Sequence, residues 1–565
     1  MEKALRSFLL TLLLLFHYVM PTSAMTRTNV STDQLTLLSL KSQISSDPFH
    51  YLDESWSPAT YVCHWVGVTY DYRHQRVKSL NLSNMILTGT IPRDFGNLTF
   101  LVSHDLRRNK FHGNLPQEMV HLRQLKFLDL SLNKFSGEVP SWFGFLDQLQ
   151  YLYLRYNSFT GSIPPSLSNA SRLETLVISA NLLEGNIPEE IGNLHNLKYL
   201  SMEINQLTGS IPFTIFNISR IEVIAFTDNR LSGDLPNGLC NRLPLLKGLH
   251  LTGNKLHGHM PTSLSNCSQL QILDLSGNEF DRRIRTEIGR LSNLQELYLG
   301  SNHFTGIIPQ EIGNLVNLVE LGVESNQITG SIPISIFNIS SLQIVLLREN
   351  NLKGSLPREI GHLTKMQLLY LDENRFTGNK LSGLIPNSLG YLTHLHFLNL
   401  WGNNLTSSDS SLSFLTSLTN CRRLTVLSLS LNPLNGMLPV SVRNFSKSLV
   451  NFYAAACNIN GQIPNEVGNL TNLIDLDLSN NNFIGSIPTS IHNLRNLQGM
   501  SFPCNKLTGF IGDHIRKLQH LGRVKARALR VKKRGRREEG EGEEEGKKEE
   551  DQASSVKIIM DFRRG

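Results

Sequence analysis

Few residues of this 565-residue chain stand in a pattern that supports catalysis. Asp94-Phe95-Gly96 spells the motif with which protein kinases hold magnesium. A kinase also needs a glycine-rich loop, a strand lysine and an HRD segment, and the sequence has none of these. Zinc-protease, P-loop, GxSxG and paired CxxC patterns are absent, and the histidines and acidic residues show no metal-ligand spacing. The sequence therefore predicts a non-catalytic protein with no metal and no cofactor.

Aromatic and charged side chains at alternating positions indicate binding instead. In Tyr151-Leu-Tyr-Leu-Arg-Tyr156, leucines alternate with residues that combine a large contact area with polar groups. Tyr, Trp and Arg dominate the binding energy of protein interfaces for this reason. Alternation at a period of two is typical of a strand with one buried and one exposed face. Such residues need a scaffold that presents many strands side by side.

A short repeat supplies that scaffold. Leu125-Lys-Phe-Leu-Asp-Leu-Ser-Leu-Asn-Lys-Phe-Ser-Gly-Glu-Val-Pro140 follows the template LxxLxLxxNxLxGxIP, which recurs from about residue 77 to residue 512. Most copies are 24 residues apart, and self-similarity at such a period predicts a solenoid. Eighteen coils are identified by the residue at the asparagine position: Met85, Asn109, Asn133, Asn157, Asn181, Asn205, Asn229, Asn254, Asn278, Asn302, Asn326, Asn350, Asn374, Asn403, Asn432, Cys457, Asn481 and Asn505.

Each part of the template predicts a local structure. The leucines of LxxLxLxx point into a core from a short parallel strand, and the intervening side chains face outward. The asparagine amide pairs with backbone groups of the turn, glycine permits a sharp turn, and proline fixes φ after it. Residues such as 189–197 form a short helical or 3₁₀ return on the convex side. The expected fold class is α/β: a curved, superhelical leucine-rich-repeat solenoid whose concave parallel β-sheet runs for roughly 85 Å.

The outward strand positions are the candidate ligand-binding residues. They lie at −6, −4, −2 and −1 from the asparagine position, and two bands of coils carry large or charged residues there. The alternative is that these side chains only stabilise the sheet through cross-strand contacts. The first band comprises Tyr151, Tyr153, Arg155, Tyr156, Tyr199 and Glu203. The second band comprises Glu296, Tyr298, Glu320, Glu324, Arg348, Tyr370, Asp372 and Trp401.

The two ends of the chain do not follow the repeat. Residues 1–24 have two basic residues before an apolar run, which predicts a cleaved signal peptide; the alternative is a signal anchor. Residues 25–75 have apolar residues at helical spacing and two tryptophans, and are predicted to form an N-terminal cap on about 18 repeats over residues 76–521. Residues 522–565 are highly charged and are predicted to be a disordered tail.

Charge and hydropathy narrow the expected partners and location. The segment from Arg523 onward holds 14 basic and 10 acidic residues, and the rest of the chain is nearly neutral, so nothing indicates nucleic acid. No segment after the first approaches the ~20 apolar residues of a membrane helix. Ten N-x-S/T sequons agree with a secretory route and predict glycosylation: Asn29, Asn81, Asn97, Asn169, Asn217, Asn266, Asn338, Asn404, Asn444 and Asn469.

The IP-containing repeat, the NxxxGxIPxxIGNL pattern and the cap resemble those of plant extracellular leucine-rich-repeat receptor kinases. The insert 404–421 looks like one in the pattern-recognition receptor kinases that detect bacterial proteins and peptides. The resemblance covers about residues 30–512 and implies an extracellular or cell-surface recognition module. It implies a peptide or protein ligand on the concave face, in defence or developmental signalling, and a co-receptor kinase as a further partner.

Several positions depart from the family pattern. Family members continue into a C-terminal cap, a single membrane helix and a Ser/Thr kinase, so the charged segment here predicts a truncated product or a gene-model fragment. The family cap reads CxWxGxxC with a disulfide, whereas Tyr70 takes the second cysteine position and leaves Cys63 without that partner. In coil nine, Arg282 replaces the glycine and Arg285 the proline. Near residue 374 a duplicated turn adds five residues.

Two questions stay open at this level. Cys240 and Cys267 occupy similar positions in successive repeats. Their separation along the sequence does not decide whether they form a disulfide. A second functional class is a secreted inhibitor, similar to the leucine-rich-repeat proteins that block fungal cell-wall hydrolases. Those proteins usually have nearer ten repeats and a cysteine-bearing C-terminal cap, which this sequence lacks.

Overall fold

The computed structural model of the chain describes residues 30–372, 380–508 and 523–525. These residues form a solenoid in which each coil contributes a strand, a turn, in most coils a second short strand, and a return. The predicted leucine-rich-repeat solenoid with a parallel sheet is therefore confirmed. The predicted signal peptide, the duplicated turn near residue 374 and most of the predicted tail lie outside the described residues.

The strands of the concave sheet carry the candidate binding residues. The first two strands pair antiparallel and the later ones pair parallel in chain order. In the three-residue strands from Ser103–Asp105 to Gly499–Ser501 the central residue points into the core, and Leu152 and Leu176 are fully buried in this way. The strands are Val68–Asp71, Arg76–Asn81, Ser103–Asp105, Phe127–Asp129, Tyr151–Tyr153, Thr175–Val177, Tyr199–Ser201, Val223–Ala225, Gly248–His250, Ile272–Asp274, Glu296–Tyr298, Glu320–Gly322, Ile344–Leu346, Leu368–Tyr370, Phe397–Asn399, Val426–Ser428, Asn451–Tyr453, Asp475–Asp477, Gly499–Ser501 and Arg523–Lys525.

A second sheet, which the template did not predict, runs along the flank of the solenoid. The NxLxG segment of each coil has an extended backbone as far as the glycine. The backbone N–H and C=O groups of this segment therefore pair with those of the same segment in the next coil. Its strands are Ile44–Ser46, Thr88–Gly89, Lys110–Gly113, Lys134–Glu138, Ser158–Gly161, Leu182–Asn186, Gln206–Gly209, Arg230–Asp234, Lys255–His259, Glu279–Arg283, His303–Ile307, Gln327–Gly330, Asn351–Gly354, Lys380–Leu384 and Asn404–Thr406, then separately Asn460–Gln462, Asn482–Gly485 and Lys506–Leu507.

The returns are 3₁₀ helices, most of which follow the template proline. Pro188, for example, has φ −65° and precedes Glu189–Asn193. In the insert the return is instead an α-helix, Ser413–Leu418, and the flank sheet is interrupted beside it. The 3₁₀ returns are Arg93–Asn97, Gln117–His121, Ser141–Phe145, Pro165–Asn169, Glu189–Asn193, Phe213–Asn217, Leu239–Arg242, Thr262–Asn266, Thr286–Arg290, Gln310–Asn314, Ile334–Asn338, Arg358–His362, Asn387–Tyr391, Val440–Asn444, Asn465–Asn469 and Thr489–Asn493.

A ladder of asparagines joins neighbouring coils. Asn133 donates from Nδ2 to the carbonyls of Leu106 and Leu130, at 2.9 and 3.1 Å, and its Oδ1 accepts from the N–H of Phe111 at 2.9 Å. Each amide therefore satisfies backbone groups of two coils that the core would otherwise leave unpaired. Cys457 takes this position in its coil, and its Sγ lies 3.3 Å from the carbonyl oxygen of Leu429.

The N-terminal segment closes the first coil. It contains the helices Val30–Ser42 and Tyr51–Ser55 and the 3₁₀ turn Val62–His64. Trp56 and Trp65 are buried and stacked, with ring centroids 5.3 Å apart. A buried ion pair ties this segment to the repeats, because Arg76 donates from Nε and Nη2 to the Asp33 carboxylate at 2.9 and 2.8 Å.

Candidate functional site

The concave sheet aligns the −6 residues of successive coils in one column and the −4 residues in another. Tyr151, Thr175 and Tyr199 are register partners in the −6 column. Parallel strands lie ~4.8 Å apart, so Tyr151 and Tyr199 stand about 10 Å apart with the shorter Thr175 between them. The register thus leaves a gap between two aromatic side chains.

A depression with a volume of about 360 Å³ opens beside this gap, between Tyr153 and Tyr199, over coils four to six. Small side chains of coil five form its floor, and longer side chains of coils four and six form its walls. The lining residues are Tyr153, Arg155, Tyr156, Thr175, Val177, Ser179, Ala180, Tyr199, Ser201, Glu203 and Ile204. Five of the six first-band residues line the depression, and Tyr151 lies beside it in the same strand as Tyr153.

The polar groups of the depression are held in place by contacts with each other. The Arg155 guanidinium lies 5.0 Å from the ring centroid of Tyr156. Ser201 donates a hydrogen bond to the Glu203 carboxylate at 3.2 Å, and Ser179 Oγ lies 2.9 Å from Ser201 Oγ. Coils four to six therefore present a cation, a carboxylate and aromatic surface around one concavity, which are the groups that bind a peptide backbone and its side chains.

Two tyrosines of the depression, Tyr153 and Tyr199, stay protonated across the physiological pH range. Burial raises the pKa of Tyr153, and burial together with the nearby Glu203 carboxylate raises the pKa of Tyr199. Both phenols are therefore neutral hydrogen-bonding groups, since their ordinary pKa is already near 10. The charge of the depression comes from Arg155 and Glu203.

The second band is dominated by carboxylates. Glu296 and Glu320 are register partners on adjacent strands, and Tyr298 donates a hydrogen bond to Glu320. Burial and the neighbouring Glu296 raise the pKa of Glu320. Burial also raises the pKa of Glu324, whose Oε2 has no hydrogen-bond partner among the described residues. Like charges directly opposite one another destabilise a sheet, so these acids carry a cost in the unbound protein.

Next to the carboxylates lies an aromatic and cationic group. The Tyr370 ring stacks on Phe397 with centroids 4.4 Å apart, and the Arg348 guanidinium lies 5.9 Å from the Tyr370 centroid. Trp401 is half-buried one coil further on. The second band thus extends over coils ten to fourteen as a surface of paired side chains.

The expectation that Asp372 faces outward is wrong, because its side chain is only 4% exposed. Short side chains at the −2 position are covered by the adjacent coils, and Ser131 and Ser430 are buried there as well. A long side chain at the same position reaches out, as the exposed Arg155 does. Burial at −2 therefore depends on side-chain length, which the template does not specify.

The structure adds concave residues that sequence reasoning missed. Phe127 lies beside the first band, with its ring 5.9 Å from Tyr153 and 6.3 Å from Tyr151. Tyr453 donates to the Asp475 carboxylate at 3.2 Å in coils sixteen and seventeen. All of them occupy −6 or −4 positions, so the same register rule would have found them.

The kinase-like Asp94-Phe95-Gly96 lies in a return. Phe95 is buried in the core, and the Asp94 carboxylate accepts a hydrogen bond from Ser39 Oγ at 3.0 Å. Both contacts are structural. Among the described residues, no group of three or more His, Cys, Asp or Glu is arranged to hold a metal ion. Within the same ranges, no helix has the length and apolar character needed to cross a membrane.

The sequons lie mainly on the returns. Asn97, Asn169, Asn266, Asn338, Asn444 and Asn469 each end a return and are exposed. Asn81 and Asn404 are also exposed, Asn217 is half-buried, and Asn29 lies outside the described residues. Glycosylation at these sites stays a prediction.

The structure answers the open cysteine question. Cys240 and Cys267 form a disulfide between consecutive returns, with their Cα atoms 5.1 Å apart. Cys63 is unpaired in the described part of the chain, as the altered cap motif implied. Cys421 and Cys457 are buried thiols, and burial raises the pKa of Cys421 to about 11.

Comparison with protein families agrees with the fold. The chain matches the Leucine rich repeat N-terminal domain at residues 30–69. It matches the Leucine Rich Repeat at residues 76–98, 124–146, 148–170, 172–194, 269–291, 293–315 and 472–494. The matched segments are thus a leucine-rich-repeat N-terminal domain and seven leucine-rich repeats.

Relatives and solved structures narrow this class to proteins like plant receptor kinases. The LRR receptor-like serine/threonine-protein kinase EFR of Arabidopsis thaliana is 40% identical over 96 residues, which is 17% of this chain and 9% of that protein. The receptor kinase-like protein Xa21 of Oryza sativa subsp. japonica is 47% identical over 68 residues, 12% of this chain and 6% of that protein. The matched segments span about a tenth or less of these relatives.

Two receptor ectodomains match over most of their length. The plant peptide hormone receptor RGFR1, in complex with RGF2, has a TM-score of 0.63 at 27% identity, covering 81% of this chain and 85% of that chain. The Arabidopsis receptor kinase HAESA, in complex with the peptide hormone IDA and the co-receptor SERK1, has a TM-score of 0.62 at 27% identity, covering 86% of this chain and 92% of that chain. The chain therefore resembles the ectodomains of plant leucine-rich-repeat receptor kinases.

Proposed function

We propose that this chain is an extracellular recognition module that binds a peptide or protein ligand on its concave face without changing it chemically. The observation that carries the proposal is the depression over coils four to six. Ligand sites are typically concave, with an apolar lining and a few polar groups that fix orientation. Tyr153, Tyr199, Arg155 and Glu203 supply both kinds of group here.

The shape of the site supports an extended ligand. The concave strands continue in register on both sides of the depression, from Phe127 to the second band. Between the two bands, coils seven and eight place the small residues Ala225, Gly248 and Gly253 on this face. A peptide that runs along the sheet from the depression toward the carboxylates also meets His250, whose ring lies over Gly248, and Ile272 of coil nine.

Two of the structural neighbours support a peptide and a co-receptor as partners. RGFR1 was solved with RGF2, and HAESA with the peptide hormone IDA and the co-receptor SERK1. By this analogy the ligand of our chain is a peptide or protein active in defence or developmental signalling. A kinase-bearing co-receptor would then carry the signal, and the cell surface or the extracellular space is the place of action.

To test this, the full chain is secreted from plant cells and used as the target on which a display library of random linear peptides is selected. The affinity of the selected peptides is then compared between the wild type and the double variant Tyr153→Ala/Tyr199→Ala. We expect enriched peptides that bind the wild type and lose at least about a hundredfold in affinity on the double variant, because each buried aromatic anchor contributes roughly 2 kcal/mol.

The matched control is Tyr391→Ala, which removes an exposed tyrosine at the end of a return. It should leave the affinity of the same peptides unchanged. No enrichment on the wild type, or equal binding to the wild type and the double variant, would contradict the proposal.

A further inference from the structure

Coil nine departs from its neighbours on the flank sheet. Arg282 occupies the glycine position with φ 61°, where Gly258 and Gly306 of the adjacent coils have φ 76°. This left-handed conformation is unfavourable for any residue with a Cβ and is normally left to glycine. Arg285 takes the proline position, with φ −77°. Arginine thus replaces two template residues in this coil. At one of the two positions, Arg282, the backbone has a positive φ that favours glycine.

No contact within the described part of the protein offsets this cost. Arg282 and Arg283 are exposed and Arg285 is half-buried, and none of the three has a carboxylate at ion-pair distance there. The nearest acid in the strand, Asp281, instead contacts His259, with 2.6 Å between Oδ1 and Nδ1. The three guanidinium groups, which we term the arginine patch, therefore present unpaired positive charge.

The surroundings of the arginine patch are polar. Among the described residues, no large hydrophobic side chain is exposed between Leu245 and Ile307. His303 and Thr305, the register partners of Asp281 and Arg283 on the next strand, are polar and exposed. Protein interfaces gain most of their energy from clusters of buried aromatic and aliphatic anchors, whereas the next strand offers a single large exposed hydrophobic side chain, Ile307. Its partner is therefore recognised by charge.

We propose that the arginine patch binds a linear anionic polysaccharide that carries carboxylates. Arginine donates two parallel hydrogen bonds to a carboxylate, and three guanidiniums close together in sequence, two of them in one strand, suit a polymer that repeats this group. The nearby Cys240–Cys267 disulfide is typical of an oxidising, extracytoplasmic compartment, where such polymers occur. The patch lies on the flank sheet, so this binding is separate from ligand capture on the concave face.

The test measures binding of the full secreted chain to immobilised polygalacturonate at low salt. The variant Arg282→Gly/Arg283→Ser should bind at least about tenfold more weakly, because it removes two charge-assisted contacts. The control variant Arg358→Ser/Lys365→Ser removes two exposed cations elsewhere and should bind as the wild type does.

A stability measurement shows whether weaker polysaccharide binding comes from the lost arginines or from misfolding of the variant. The single variant Arg282→Gly relieves the positive φ, so its midpoint of thermal unfolding should be equal to or above that of the wild type. Equal weakening in both double variants would overturn the proposal, as would wild-type binding to methyl-esterified polygalacturonate or polyglutamate as tight as to polygalacturonate.

Discussion

The two bands of the concave face carry similar residue types but differ in the space between their side chains. In the first band, Tyr151 and Tyr199 flank the small Thr175, and a depression opens between coils four and six. In the second band the adjacent side chains fill one another's space, as the Tyr370 and Phe397 rings do at 4.4 Å. Aromatic content alone therefore does not make a cavity on a parallel sheet; a coil of small residues between two coils of large ones does.

The bands also differ in their electrostatics. The depression has one cation and one carboxylate among its long side chains, Arg155 and Glu203. The second band places Glu296 beside Glu320 and largely buries Glu324, and the pKa values of Glu320 and Glu324 are raised. We infer that the depression of the first band selects ligands by their shape. The carboxylates of the second band, Glu320 and Glu324, instead give that band a charge that depends on pH.

The largest expected effect is a pH dependence of stability that comes from outside both bands. His104 is a fully buried histidine next to Phe95, and burial lowers its pKa from 6.5 to about 4. Unfolding lets it take up a proton below pH 6.5, so the fold loses stability as pH falls from 6.5 toward 4, by ~3 kcal/mol from this group. The variant His104→Leu restores the template residue and should remove that loss, measured by chemical denaturation at pH 7 and pH 4.

The control is His112→Gln, which changes an exposed histidine in the same coil. It should lose stability on acidification as the wild type does. If His104→Leu loses as much stability as the wild type between these pH values, His104 is not the source of the acid-induced loss.

The next effect compares one tyrosine from each band. Tyr199→Ala opens a wall of the depression and should weaken binding of a library-selected peptide by roughly 2 kcal/mol, with little change in unfolding free energy. Tyr370→Ala removes a stacked ring and should cost about 1 kcal/mol of stability with a smaller effect on binding. Titration calorimetry and chemical denaturation of both variants measure the two quantities. The reverse pattern would show that the ligand sits on the second band.

The smallest effect concerns Glu324, a largely buried carboxylate of the second band. Because the folded-state pKa of Glu324 is raised, its ionised form destabilises the fold at neutral pH, and this cost disappears as pH falls through that pKa. Glu324→Gln should therefore raise stability at pH 7 by at most about 1 kcal/mol, and the gain should shrink at acidic pH. Denaturation curves at several pH values measure it. Lower stability of the glutamine variant at pH 7 would show that the carboxylate has a partner that outweighs its burial.

The sequence predicted the scaffold well because each template residue has one physical task. The leucines are buried, and Asn133 bridges two coils as its type and position required. The flank sheet was missed because its strands are specified by backbone pairing rather than by a side-chain pattern. The disulfide between Cys240 and Cys267 depended on a distance that only the fold provides.

The candidate site was predictable only in part. Register rules identified the large outward residues, including Tyr153 and Tyr199, and would also have found Phe127. The depression itself depends on the small residues of coil five, such as Ser179, and a search for large side chains passes over them. The buried Asp372 shows the same limit, because exposure at its position depends on side-chain length.

The most direct test of the account is hydrogen exchange of the full chain with and without a library-selected peptide. We predict that bound peptide slows exchange most in residues 151–157, 175–181 and 199–205, the concave strands of coils four to six, with weaker protection in coils ten to fourteen. Protection confined to the returns, or strongest in coils ten to fourteen, would contradict the claim that the depression is the primary ligand site.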